Sequence, residues 1–190
     1  MLTIEETFDF LGSTFVDLRL LKVVGLDGLT IVPLGEFVYI SAWERRYDLQ
    51  KLRELFCKGH TFVIHSSNVS PKVRSLVERL ETKHQMSGQA HVYMGENGSR
   101  SFPIHADNPE NYIHQCVGES KFTLYNETAP QAGNYPDSGA TVDFSRVLKP
   151  GDEVYIPSRR LHFFQPLTAR LSISVPLDPN ATSCPLSSVE

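Results

Sequence analysis

Apolar and polar residues alternate in changing rhythms along this chain. At the start, Thr3-Ile-Glu-Glu6 has the form of a capping box and predicts a short helix that stops at Gly12. Three strand-like runs follow, FVDLRLLKVV, LTIVP and EFVYIS, separated by turn signals at Gly25 to Gly28 and at Pro33 to Gly35. The first quarter therefore reads as mostly β. A helical rhythm then takes over. Asp48 caps LQKLRELFCK, which ends at Gly59, and Ser70-Pro71 opens a helix in which Val73, Leu76, Val77 and Leu80 form one apolar stripe. Between those helices TFVIH reads as a strand.

From Gln89 onward the pattern is one of short strands and turns: QAHVYMG, NYIHQCV, SKFTLYN, VLKPGDEVYIP, LHFFQ and TARLSISV. That succession predicts a mainly β barrel or sandwich with a few flanking α-helices. NETAPQAGNYPDSGA, rich in Asn, Pro, Gly and Ala, predicts a long loop between two halves of the barrel. The expected organisation is a mostly β extension over residues 1–46 packing on a barrel at 47–177, with an irregular tail at 178–190.

Composition narrows the classes. The 190 residues, 41% of them hydrophobic, suit one domain with a real core and room for a pocket. Eighteen basic against twenty-two acidic residues give a net charge of −4, which is not the footprint of a dedicated nucleic-acid binder. Cys57, Cys116 and Cys184 are odd in number and scattered, which argues against a disulfide framework and a cysteine zinc site. No apolar stretch approaches the roughly 20 residues that span a bilayer, so the expectation is a cytoplasmic protein without a membrane anchor.

Seven histidines offer chemistry, and most read as ordinary surface or hydrogen-bonded residues. His105 and Asp107 differ, because residues two apart on a strand project to one face and can converge on one ion. Far downstream, the turn and strand Gly151 to Pro157 lead to His162, which a closed barrel can return beside that pair. Two histidines and a carboxylate on one side of an ion leave positions open, as in non-haem Fe(II) oxygenases, and zinc accepts the same ligands. The alternative is a loop HAD and a hairpin histidine.

The run from Gly59 to Asn126, with LKPGDEVYIPSRRLHFFQPLTARLSISV after it, resembles the Jumonji-C and cupin-like hydroxylases. The likeness is closest to the bacterial ribosomal oxygenases and the asparaginyl hydroxylase branch, over roughly residues 55–177. It implies a double-stranded β-helix (a cupin-like jelly roll) that binds Fe(II) and the co-substrate 2-oxoglutarate, with His105, Asp107 and His162 as metal triad. PGDEVYIP followed by His162 is similar to the second cupin motif, with Arg159 in place of its usual glycine.

One place departs from those relatives. Where they carry a lysine or arginine for the distal carboxylate of 2-oxoglutarate, this chain has Ser120; Lys121 beside it falls on the opposite face of the strand. Arg170 and Ser172, at a spacing similar to the Arg-x-Ser element of other 2-oxoglutarate oxygenases, are the expected replacement, since a planar guanidinium suits a carboxylate. The resemblance also implies Asn111 and Tyr93 near the co-substrate. His114 falls on the other face from Asn111, while Tyr112 and Trp43 either line a substrate entrance or simply pack.

The activity implied is hydroxylation of a protein side chain, a peptide or a small molecule. Two other readings stay open at this stage: a metal-binding cupin enzyme that does not use 2-oxoglutarate, and a non-catalytic binding barrel. Nothing points to nucleic acid or membrane partners, and a homodimer is left open.

Overall fold

The computed structural model describes residues 1–13, 16–99, 102–136 and 138–179. Its three helices start at their sequence caps. Helix α1 (Ile4–Leu11) closes the capping box, with the Glu6 amide donating to Thr3 Oγ1 at 3.1 Å and the Thr3 amide to Glu6 Oε2 at 2.8 Å. The Asp48 carboxylate caps α2 (Leu49–Cys57), and the Ser70 hydroxyl caps α3 (Pro71–His84).

The strands are β1 (Leu21–Val24), β2 (Val38–Ile40), β3 (Arg45–Tyr47), β4 (Thr61–His65), β5 (Ser87–Gly88), β6 (His91–Gly95) and β7 (His105–Ala106). They continue with β8 (Glu110–Val117), β9 (Ser120–Thr128), β10 (Gly133–Asn134), β11 (Val142–Leu148), β12 (Glu153–Ile156), β13 (Arg160–Pro166) and β14 (Arg170–Asp178). The larger sheet has the order β1-β4-β6-β14-β8-β12, with β5 added beside β14. The smaller sheet has the order β10-β7-β13-β9-β11, and β2 pairs only with β3. All these pairings are antiparallel, and the two main sheets make a double-stranded β-helix.

Burial explains the layers. Phe8, Leu52, Phe56, Val73, Val77 and Leu80 from the helices pack with Phe62, Val92, Met94, Ile173 and Val175 of the larger sheet. Burying a side chain such as Phe8 or Phe62 stabilises the fold by roughly 2–3 kcal/mol. On the opposite, inward side, Ile113, Phe122, Leu148, Val154, Ile156 and Phe164 form a second apolar cluster. At Gly118 (φ +67) the chain passes from β8 of one sheet to β9 of the other, and a Cβ there would collide with the Ala169 carbonyl.

Two expectations change. The first quarter is less β than its apolar content suggests. Of FVDLRLLKVV, among the described residues from Val16 on, only Leu21–Val24 is a strand, and LTIVP contributes a single bridge, Ile31 to Val24. Before β1 the Asp17 carbonyl accepts from the Leu20 amide and the Tyr47 hydroxyl, so the backbone turns there. The long loop is also not featureless: β9 runs on to Thr128, and β10 inside the loop pairs with β7, Asn134 facing His105. Such a two-residue ladder leaves no periodicity to read. Cys184 and the tail beyond Pro179 lie outside the described residues. Among the described residues no helix is long and apolar enough to cross a membrane.

Candidate active site

Strand β13 lies against β7 so that His162 faces His105 directly, with ring centroids 4.2 Å apart. The backbone beyond β7 is held to the same hairpin, the Arg159 amide donating to the Asp107 carbonyl at 2.8 Å and the Ser158 hydroxyl to the Asn108 carbonyl at 2.5 Å. One candidate ligand atom from each of His105, Asp107 and His162 lies within 4.8 Å of the others. His162 Nε2 stands 3.7 Å from Asp107 Oδ2.

The hydrogen bonds leave both histidines able to act as ligands. His105 Nδ1 is 2.9 Å from the Pro103 carbonyl and His162 Nδ1 is 2.9 Å from the Arg160 carbonyl. A carbonyl only accepts, so each Nδ1 carries a proton, and in the neutral ring the lone pair then stands on Nε2. Burial, reinforced by neighbouring His105, pushes His162 down to about 4, which keeps its ring neutral as metal ligation requires. The carboxylate oxygen that faces His162 is also held by Asn111. Asn111 Nδ2 donates to Asp107 Oδ2 at 3.3 Å, and the Ser174 hydroxyl donates to Asn111 Oδ1 at 2.7 Å. Two imidazoles whose Nδ1 atoms are already engaged, converging with one carboxylate, fit a divalent metal ion with positions left open.

Beside the triad is a small recess bounded by Tyr93, Phe102, Ile113, Phe164, Arg170, Ser172 and Ser174 as well as the triad and Asn111. Arg170, Ser172 and Ser174 occupy alternate positions on β14 and share its inner face, all nearly fully buried. Burial pushes Arg170 down to about 10 and Tyr93 up to about 12, so the guanidinium is cationic and the phenol neutral at neutral pH. A buried cation with two hydroxyls in a polar-floored, aromatic-walled recess is matched to a small carboxylate.

Of the residues singled out in the sequence, His105, Asp107, His162, Asn111, Tyr93, Arg170 and Ser172 all line this one recess. Ser120 and Lys121 do not. Ser120 is fully buried opposite Leu148 and Pro166, and its hydroxyl has no hydrogen-bond partner among the described residues. Lys121 is exposed on the outer face beside Val147 and Gln165, because alternation on β9 turns it away from Phe122. Neither Trp43 nor Tyr112 bounds the recess: Trp43 is 96% exposed, and Tyr112 packs outside against His84 and Tyr155. His114 pairs with Glu153, and His65 meets His91 edge-on across β4 and β6.

The sequence reading missed the aromatic walls. Phe164 follows His162 by two and so shares its face, a signal that was present. Phe102 lies before β7 in irregular chain, edge-on to Tyr93 and near His105, where no periodicity announces it.

Residues 63–183 match the JmjC domain family. The chain is 30% identical over 123 residues to ribosomal oxygenase 2 of Mus musculus, covering 62% of this chain and 26% of that protein. It is 29% identical over 108 residues to the bifunctional lysine-specific demethylase and histidyl-hydroxylase NO66 of Drosophila willistoni, covering 53% of this chain and 14% of that protein. It thus spans about a quarter or less of the length of these curated relatives. Its fold is similar to that of YcfD, a ribosomal oxygenase from Escherichia coli solved with cobalt and 2-oxoglutarate. The TM-score is 0.63 at 16% identity, over 95% of this chain and 45% of that one.

Proposed function

The chain belongs to the JmjC domain family, and from that premise we propose that it is an Fe(II)- and 2-oxoglutarate-dependent hydroxylase acting on a side chain of a protein or peptide. One observation carries the reading: the facing Nε2 atoms of His105 and His162, the Asp107 carboxylate and the buried cation of Arg170 share one recess. The relatives named as ribosomal oxygenase and histidyl-hydroxylase support a protein substrate over a small metabolite.

In this reading His105, Asp107 and His162 hold the iron, and Arg170 with Ser172 takes the distal carboxylate of 2-oxoglutarate. Bound together, iron and 2-oxoglutarate supply the oxidising chemistry, in which dioxygen is consumed, 2-oxoglutarate becomes succinate and carbon dioxide, and a substrate C–H bond becomes C–OH. The chain's own groups orient and protect. Asn111, held by Ser174, steadies the Asp107 carboxylate toward the metal position. Phe102, Phe164 and Ile113 exclude water from the reacting centre, which strengthens the Arg170–carboxylate attraction. Tyr93, kept neutral by burial, offers a hydroxyl proton to an anionic ligand without adding charge.

Ser120 favours a rival, a metal-binding cupin enzyme that does not use 2-oxoglutarate, because no charge stands at the relatives' anchor position. Calorimetric titration of the anaerobic Fe(II)-loaded protein with 2-oxoglutarate, followed by oxygen and succinate measurement, separates the two. Binding with slow succinate release supports the hydroxylase. Metal uptake with neither 2-oxoglutarate binding nor succinate release rejects it.

A further inference from the structure

Alternation along β6 sends Val92 and Met94 into the core under the helices, so His91, Tyr93 and Gly95 face the inside of the barrel. Their register partners on β14 are Ser174, Ser172 and Arg170. That order leads away from the metal triad, because Ser174 holds the Asn111 that bonds Asp107. On β4, Phe62 pairs with Met94, which puts the buried Thr61 beside Gly95. The position directly opposite the buried cation therefore has no side chain of its own.

A residue four places on fills the gap. After Gly95 the chain turns back through Glu96, Asn97 and Gly98, with Gly98 at φ +84 and the Ser99 amide donating to the Glu96 carbonyl at 2.9 Å. The turn lays Ser99 over Gly95. A Cβ at position 95 would fall on the Ser99 hydroxyl, 2.7 Å from Ser99 Cβ and 3.5 Å from Thr61 Oγ1. The hydroxyl thus occupies the inner-face place of a residue 95 side chain. Directly opposed residues of an antiparallel pair have Cβ atoms about 5 Å apart, so the hydroxyl stands within reach of the Arg170 side chain.

Ser99 is 4% exposed, and its Oγ has no hydrogen-bond partner among the described residues. A buried hydroxyl left unpaired destabilises a fold, and one that persists calls for a partner that arrives later. Ser99 does not bound the recess, so it meets Arg170 from the side away from a ligand. A guanidinium carries more N–H donors than one carboxylate takes, and those left over need acceptors. Resting on the reading that Arg170 holds the distal carboxylate of 2-oxoglutarate, we infer that Ser99 is a positioning residue for that arginine. Its hydroxyl oxygen accepts a hydrogen bond from the guanidinium when the co-substrate is bound, fixing the plane that Arg170 presents to the carboxylate. Gly95 is part of the device, since any side chain there evicts the hydroxyl.

Calorimetric titration of the cobalt-loaded full chain with 2-oxoglutarate tests the inference. Ser99→Ala is expected to weaken 2-oxoglutarate binding about tenfold, with cobalt affinity unchanged and Tm not lowered. Gly95→Ala, which displaces the hydroxyl without removing it, is expected to weaken binding by a similar factor. In an Arg170→Met background Ser99→Ala is expected to add nothing, because the serine acts through the arginine. A native chain that binds 2-oxoglutarate no better than Ser99→Ala overturns the inference and leaves Arg170 as the anchor. A native chain with no affinity for 2-oxoglutarate overturns both. A full tenfold loss that persists in the Arg170→Met background also overturns it, since Ser99 then acts on the fold and not on Arg170.

Discussion

His105 and His162 are direct cross-strand partners, one on each of two neighbouring strands of the smaller sheet, although 57 residues of chain separate them. Antiparallel neighbours directly opposite each other bring their Cβ atoms to about 5 Å, so two imidazoles in that register are delivered to one ion by the backbone itself. The proposed metal position therefore depends on the pairing of β7 with β13 as much as on its candidate ligands. His162→Ala is expected to cut affinity for a divalent ion by at least about 100-fold while leaving the sheet folded. Cobalt titration followed by visible absorption checks this; near-native affinity in the variant would remove His162 from the site.

Arg170 and Lys121 make opposite predictions. Arg170 is buried in the recess with Ser172, while Lys121 projects outward from β9. Arg170→Met should weaken 2-oxoglutarate binding to the metal-loaded protein by roughly 30-fold or more, the cost of removing one partner of a desolvated charge pair. Lys121→Met should leave it unchanged. Calorimetry reads both; a large effect at Lys121 with none at Arg170 reverses the assignment of the anchor.

Which parts of the site were legible follows from how each residue is signalled. Thr3, Glu6, Asp48, Ser70 and Pro71 announce helix starts because caps are local chemistry, and all three helices begin there. Arg170, Ser172 and Ser174 were readable as one face because strand alternation is local too. The partner of Ser174 was not, since its bond to Asn111 depends on β14 lying beside β8, a register that no short window contains. LTIVP and its neighbours were misread for a related reason. An apolar run looks the same in sequence whether it enters a sheet or stays exposed.

Arg159 tests backbone strain apart from ligation. Its φ of 56° is left-handed, which explains why a glycine suits this place in the second cupin motif. The amide that bonds the Asp107 carbonyl belongs to the backbone and survives any substitution except proline. Arg159→Gly relieves left-handed strain of about 1–2 kcal/mol but adds unfolded-chain entropy of comparable size and loses the bond to the Pro130 carbonyl. Stability should move by less than about 1 kcal/mol, with metal affinity unchanged, whereas Arg159→Val should destabilise by about 1–2 kcal/mol or more. Urea unfolding of both variants beside the native chain checks the contrast.

Tyr47 links the N-terminal hairpin to the barrel in a way that pH can read. Its hydroxyl accepts from the Leu21 amide at 3.2 Å and donates to the Asp17 carbonyl at 3.3 Å, and its ring is 1% exposed. Burial raises its pKa from 10.0 to about 12, with the Leu21 amide opposing the shift and the Asp17 charge adding to it. The folded state therefore holds this proton more tightly than the unfolded chain. Its contribution is complete below about pH 10 and is lost as pH rises from 10 toward 12, up to roughly 2–3 kcal/mol for a shift of that size. Tyr47→Phe cannot ionise, so it should cost about 1–3 kcal/mol at pH 8 through the orphaned Leu21 amide, yet lose less stability than the native chain between pH 10 and 12. Urea unfolding of both chains across that range makes the comparison. Parallel pH profiles would place the alkaline sensitivity in other groups, and a native chain insensitive to pH there would show that the phenol ionises without opening the β1–β3 junction.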